Sequence, residues 1–165
     1  SGKVNINGDS TITVANSGTG IMVSGSGATV KMMEGGKIVG SGAVANIMGA
    51  TIKGSGATGT GLYVMGTATM NGGEIKDVES GVYATGTGNL TINGGAKISF
   101  TGRSGYGVRV GSGASADLTN MTIAGSGATG TGVIKDGTGT MTLTKVDISK
   151  VKVGIQVTSG NLTVN

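Results

Sequence analysis

The chain has 165 residues, enough for one domain, with 36 Gly, no Pro, Cys, Trp or His, and a formal net charge of +4. Glycine at this level without a G-X-Y period excludes collagen, and the regular return of Val, Ile, Leu and Met excludes a disordered Gly/Ser linker. No apolar run approaches the roughly 18 residues of a membrane helix, and without His or Cys no His-based triad or thiol nucleophile can be built.

The chain opens on Ser1-Gly2 with no recognisable signal peptide. The run Lys3-Val4-Asn5-Ile6-Asn7-Gly8 alternates apolar and polar residues, and Ile12 follows Ile6 after a short gap. Next comes Gly20-Ile21-Met22-Val23, a glycine followed by an alternating run. The same three-run unit then recurs along the chain. Gly40 to Gly61 and Gly111 to Gly132 are copies of one unit. Inside it lies a finer period: Ile52, Ile75, Ile98, Ile123 and Ile148 recur at nearly equal intervals. Shortly before each stands a second apolar residue: Ile47, Met70, Ile92, Leu118 and Leu143. A third column reads Gly61-Leu62-Tyr63-Val64, Gly81-Val82-Tyr83-Ala84, Gly107-Val108-Arg109-Val110, Gly132-Val133-Ile134 and Gly154-Ile155-Gln156-Val157.

Alternation over such short runs means half-buried strands. Three of them in every period of about 20–25 residues predict an all-β fold, a right-handed parallel β-helix of about six full turns with a partial turn at each end. Asn71-Gly72-Gly73 and Asn93-Gly94-Gly95 mark one corner on successive turns, where glycine supplies positive φ. Two places do not fit. Ile38 and Ile52 are closer than one period, so either Lys37-Ile38-Val39 opens the next turn or a turn is shortened there. Lys135 falls at an inward position, so its strand is expected to end or bend early. Both chain ends fall mid-turn, which predicts a single β-helix domain, 1–165, cut from a longer protein.

The eight acids are Asp9, Glu34, Glu74, Asp77, Glu79, Asp117, Asp136 and Asp147. They are scattered, whereas glycoside hydrolysis needs two carboxyls within roughly 5–10 Å; no catalytic residue, cofactor or metal is assigned. Gly54 to Gly59 and Gly125 to Gly130 fit GxGxxG, but no helix follows and the motif repeats with the solenoid, so turn chemistry explains it. Gly35-Gly36-Lys37 lacks the rest of a P-loop. The sequons at Asn89, Asn120 and Asn161 read as corner and strand residues. Glu74 and Lys97 occupy matching positions on neighbouring turns and predict a surface pair of little worth.

Binding is the better-supported class. Alternation turns Met22, Tyr63, Tyr83, Arg109, Ile134 and Gln156 outward in one column, with Arg103 and Tyr106 in the loop before Arg109. Tyr and Arg are the residue types that anchor interfaces. Lys135, Lys145, Lys150 and Lys152 bias the C-terminal turns toward an anionic partner such as heparan sulfate. The candidate partner-binding residues are therefore Tyr63, Tyr83, Arg109, Ile134, Arg103, Tyr106, Lys150 and Lys152.

The runs Gly61 to Val64, Gly81 to Gly95 and Met141 to Val146 resemble those of bacterial autotransporter passenger domains of the Bartonella type, proangiogenic members included, over most of the chain. That resemblance implies secretion or surface display through a C-terminal barrel outside this chain. For the angiogenic members it implies a non-enzymatic ligand of a vascular endothelial growth factor receptor, acting as a dimer or through two faces. It assigns no contact residue. An adhesin or structural stalk is the competing expectation, and a carbohydrate-active enzyme a weaker one.

Overall fold

The structure is a computed structural model that describes residues 3–6, 11–14, 29–32, 44–49, 51–54, 59–127 and 129–165. Up to residue 46 it gives backbone path and pairing without side chains. Met22, Ile38, Gly35 to Lys37, Asp9 and Glu34 lie outside the described residues.

Fifteen parallel strands, and no helix among the described residues, stack as a β-solenoid of about five turns. The six-turn count from the repeats included the first forty residues, most of which fall outside the described set. The first face is built from β1 (Lys3–Ile6), β3 (Thr29–Met32), β4 (Val44–Met48), β7 (Thr67–Asn71) and β10 (Asn89–Asn93). It continues through the start of β13 (Ser115–Ala124), the middle of β14 (Thr131–Ser149) and the end of β15 (Val153–Val164). The second face holds β2 (Thr11–Val14), β5 (Thr51–Gly54), β8 (Glu74–Val78), β11 (Lys97–Phe100) and the ends of β13 and β14. The third holds β6 (Thr60–Val64), β9 (Ser80–Ala84), β12 (Tyr106–Val110) and the starts of β14 and β15.

The ladders expected from spacing are in register. Ile12, Ile52, Ile75, Ile98, Ile123 and Ile148 pair in series on the second face. Met70, Ile92, Leu118 and Leu143 do so on the first. Leu62, Val82, Val108, Val133 and Ile155 do so on the third. From Ile52 to Ile123 and from Leu62 to Val133 the ladder side chains are fully buried. Each such burial contributes roughly 1.5–3 kcal/mol before chain entropy is counted. The step from Thr29 to Val44 is shorter than any other between paired strands of the first face, while Ile12 pairs directly with Ile52 on the second. A turn is therefore shortened between β3 and β4.

The glycine that opens each third-face run has a steric cause. A Cβ on Gly61, Gly81, Gly107 or Gly132 would collide with Cγ2 of Ile75, Ile98, Ile123 or Ile148 respectively. The isoleucine ladder of the second face thus lies against bare backbone of the third. At the corner between the first and second faces, Gly49, Gly72, Gly94, Asn120 and Lys145 all take positive φ. The last two carry side chains, and there the two faces run on as the single strands β13 and β14.

Lys135 corrects the sequence expectation. Its strand does not end: β14 runs on to Ser149 with a register shift after Lys135. The side chain enters the lumen, 0% exposed, between Val110 and Val157, and its ammonium donates to the Gly137 carbonyl. It is not part of a basic surface. Burial lowers its pKa from the usual 10.5, partly offset by Asp136. The Glu74–Lys97 expectation is corrected as well: their Cα positions pair, but Glu74 takes the Lys76 ammonium at 2.7 Å.

Two outcomes follow for stability. Gly81→Ala forces Ile98 or the Gly107 carbonyl to move and lowers stability by about 1–3 kcal/mol, whereas Gly154→Ala, with nothing within 4 Å of its Cβ, leaves the urea midpoint unchanged. Lys135→Met completes an apolar ladder and raises stability by about 1–4 kcal/mol. In the parent chain the unfolded state holds the Lys135 proton more tightly than the folded one. The penalty is therefore full below the folded pKa and fades as pH rises through it toward 10.5, a slope that urea titrations lose in Lys135→Met.

Candidate binding surface

The third face carries the chain's side-chain chemistry. Because successive residues of a strand point to opposite sides, Tyr63, Tyr83, Arg109, Ile134 and Gln156 pair in series and stand outward, each between two inward residues. Neighbouring turns lie about 4.8 Å apart, so these side chains touch. The Tyr63 and Tyr83 rings meet edge to face with centroids 5.4 Å apart. The Arg109 guanidinium carbon sits 5.1 Å from the Tyr83 centroid, a cation–π arrangement.

Tyr106 is the first residue of β12, not a loop residue. Its ring lies 6.4 Å from that of Tyr83. Burial is the main cause that raises its phenol above the usual 10.0, while hydrogen bonds to Thr60 and Ser80 pull the other way. Those two residues open β6 and β9, so Tyr106 reaches back over two turns and fastens them. All three tyrosines of the chain are in this one cluster.

Arg109 donates through Nε and Nη2 to one oxygen of Asp136, at 2.9 and 2.5 Å. Asp136 is turned outward by the same alternation, one residue after the inward Lys135, and its carboxylate meets Arg109 of the turn before. The hydrogen bond it donates to Asp136 is the main cause that raises the Arg109 pKa above its usual range. Sequence reading placed Asp136 among scattered acids and missed this pair; the only signal was its position just past an inward lysine. The result is a rigid, electrically balanced strip of aromatic rings and a guanidinium.

The remaining candidates lie elsewhere. Arg103 is exposed on the corner between the second and third faces. Lys150 and Lys152 are exposed on the same corner, with Gly125 to Gly127, Thr129 and Gly130 of the intervening turn between them and Arg103. Lys145 sits at the other end of the second face. The basic residues therefore border the strip on one side and do not join it. No group of three or more acids, among the described residues, is placed to hold a metal ion. Comparison with protein-family models, with curated proteins and with solved structures gives no match.

The Tyr106 fastening is testable by titration. Its phenol ionises above 10.0, and Tyr106→Phe removes that alkaline component from the tyrosinate absorbance curve. The same change lowers stability by about 1 kcal/mol through loss of the hydroxyl contacts; an unchanged curve would place the hydroxyl in water.

Proposed function

We propose that the chain is a non-enzymatic binding segment of a secreted or surface-displayed passenger, a host-cell ligand that engages its receptor through the Tyr63–Tyr83–Arg109 strip. The observation that carries this reading is the concentration of every tyrosine of the chain, with a locked arginine, on one face, while the outward residues elsewhere are mostly Gly, Thr, Ser, Asn and solvated charges. Aromatic and arginine side chains already fixed by their neighbours lose little entropy on binding, which is what interface anchors require. The rod supplies the rigidity.

Its most specific form, a proangiogenic ligand of a vascular endothelial growth factor receptor, rests on the resemblance of the repeat runs to Bartonella-type passengers. Activation of such a receptor brings two copies together, so the ligand acts as a homodimer or through a second face. Arg103, Lys150 and Lys152 on the bordering corner would add attraction to heparan sulfate. A second reading, an adhesin or stalk, draws support from the first face. Its outward columns Thr69, Thr91, Asp117, Thr142, Thr163 and Thr67, Asn89, Ser115, Thr140, Asn161 are small and nearly uncharged.

Endothelial cells treated with the purified chain at micromolar dose are expected to show receptor phosphorylation. The combined change Tyr63→Ala, Tyr83→Ala, Arg109→Ala is expected to abolish it while leaving the circular dichroism spectrum intact. No signal from the parent chain would reject the receptor-ligand form; binding to matrix proteins without signalling would favour the stalk.

A further inference from the structure

We propose that the first face is an ice-binding surface, a flat lattice of hydroxyl and amide groups that adsorbs to ordered water. It is a further activity of the rod, on a different face from the tyrosine strip, and does not rest on the receptor reading.

The first ground is regularity. Beside the columns that begin at Thr67 and Thr69 runs a third, formed by Asn71, Asn93, Thr119, Thr144 and Asn165. From β7 to β15 every position of these three outward columns is Thr, Asn, Ser or Asp. Pairing passes through them without a register shift. The second face, by contrast, shifts between Ile98 and Phe100, and the third shifts after Lys135. Turns repeat about every 4.8 Å, and alternate residues of one strand about every 6.6 Å. These two repeats, set at right angles, are close to those of the water oxygens on the prism face of hexagonal ice.

The second ground is stiffness. Threonine is branched at Cβ, so its hydroxyl and methyl hold one orientation. Several polar groups are also braced along the face. The Thr140 hydroxyl bonds Ser115 Oγ at 3.4 Å, and Asn165 Nδ2 donates to Thr144 Oγ1 at 3.5 Å. The Thr119 hydroxyl donates to Asp117 at 2.9 Å. A sheet held by side-chain ladders stays flat. The array is set before it meets a partner, so adsorption orders little.

The third ground is what the face lacks. Its columns carry no Lys, Arg or Glu from β7 onward, and Asp117 is their one charge. A polyanion finds no attraction there. Every tyrosine stands on the third face and the one phenylalanine, Phe100, is buried. The first face therefore has no ring for a sugar to stack on and no aromatic anchor for a protein. It offers hydroxyls and amides, which both donate and accept, as water does. Each such contact is weak. A crystal whose oxygens repeat with the columns makes many at once, and that multiplicity separates ice from liquid water. By backbone pairing the first two columns continue to Val44 and Asn46 and then meet Lys31 and Lys3, so the array occupies the C-terminal turns.

The test uses the purified chain on ice. It is expected to enter a slowly grown ice hemisphere and to hold a single ice crystal unchanged below its melting point. Thr91→Tyr and Thr142→Tyr each raise a ring above the lattice, on different turns and on the solvent side. Each is expected to abolish both effects and to leave the thermal midpoint in place. Thr122→Tyr, the same change on the outward side of the second face, is expected to leave both effects intact. So is the triple change at Tyr63, Tyr83 and Arg109, which keeps failure here distinct from failure of the receptor reading.

Exclusion of the parent chain from ice would overturn the proposal, and this arm decides it even where a variant misfolds. Adsorption that survives both Thr91→Tyr and Thr142→Tyr would also overturn it. Adsorption to microcrystalline cellulose or chitin but not to ice would replace it with a polysaccharide surface. A dimer in sedimentation that Thr142→Tyr dissolves, without ice adsorption, would replace it with a contact between copies.

Discussion

The close approach of the third face to the second is the constraint on which this molecule depends. Gly61, Gly81, Gly107 and Gly132 each stand where a Cβ would strike the isoleucine of the ladder opposite. Because that Cβ is missing, Ile75, Ile98 and Ile123 seat fully in the lumen. Because the isoleucines seat there, the next two residues of the third face are fixed in register, one inward and one outward. A one-residue slip would reverse every side chain of the face. The outward column of tyrosines and Arg109 is thus a consequence of glycine and isoleucine packing on the side turned away from it.

The same regularity explains how an interior charge is accommodated. Lys135 sits in the column of Val64, Ala84, Val110 and Val157, where the ladder alone would hold an apolar side chain. Strand alternation sends the two adjacent charged residues opposite ways, the lysine into the lumen and the aspartate out to Arg109. The interior cost and the ordered surface pair therefore come from the same two residues.

The strip is unlike the rest of the surface in kind. Elsewhere the outward residues are threonine, asparagine, serine and solvated charges with weak local pairs, such as Lys53 with Asp77 at 3.9 Å. On the third face three rings and a guanidinium touch in sequence across three turns, held by Thr60, Ser80 and Asp136. Preorganised aromatic surface of this sort is where binding free energy concentrates.

The sequence by itself determined the fold and the face. Period-2 alternation, recurring three times in every repeat, leaves only a stacked parallel solenoid, and the same alternation names inward and outward residues before any coordinates are known. Tyr63, Tyr83, Arg109, Ile134 and Gln156 were legible as one column for that reason. What only the tertiary structure decided lies where the period breaks or where contact crosses between turns. The choice of a shortened turn between β3 and β4, the continuation of β14 past a buried Lys135 and the pairing of Asp136 with Arg109 depend on contacts between turns that alternation does not settle. The tie from Tyr106 to Thr60 and Ser80 joins residues on three successive turns. A repeat fixes which side of the sheet a residue takes; its partners follow from how the turns are stacked, and stacking is a property of the whole rod.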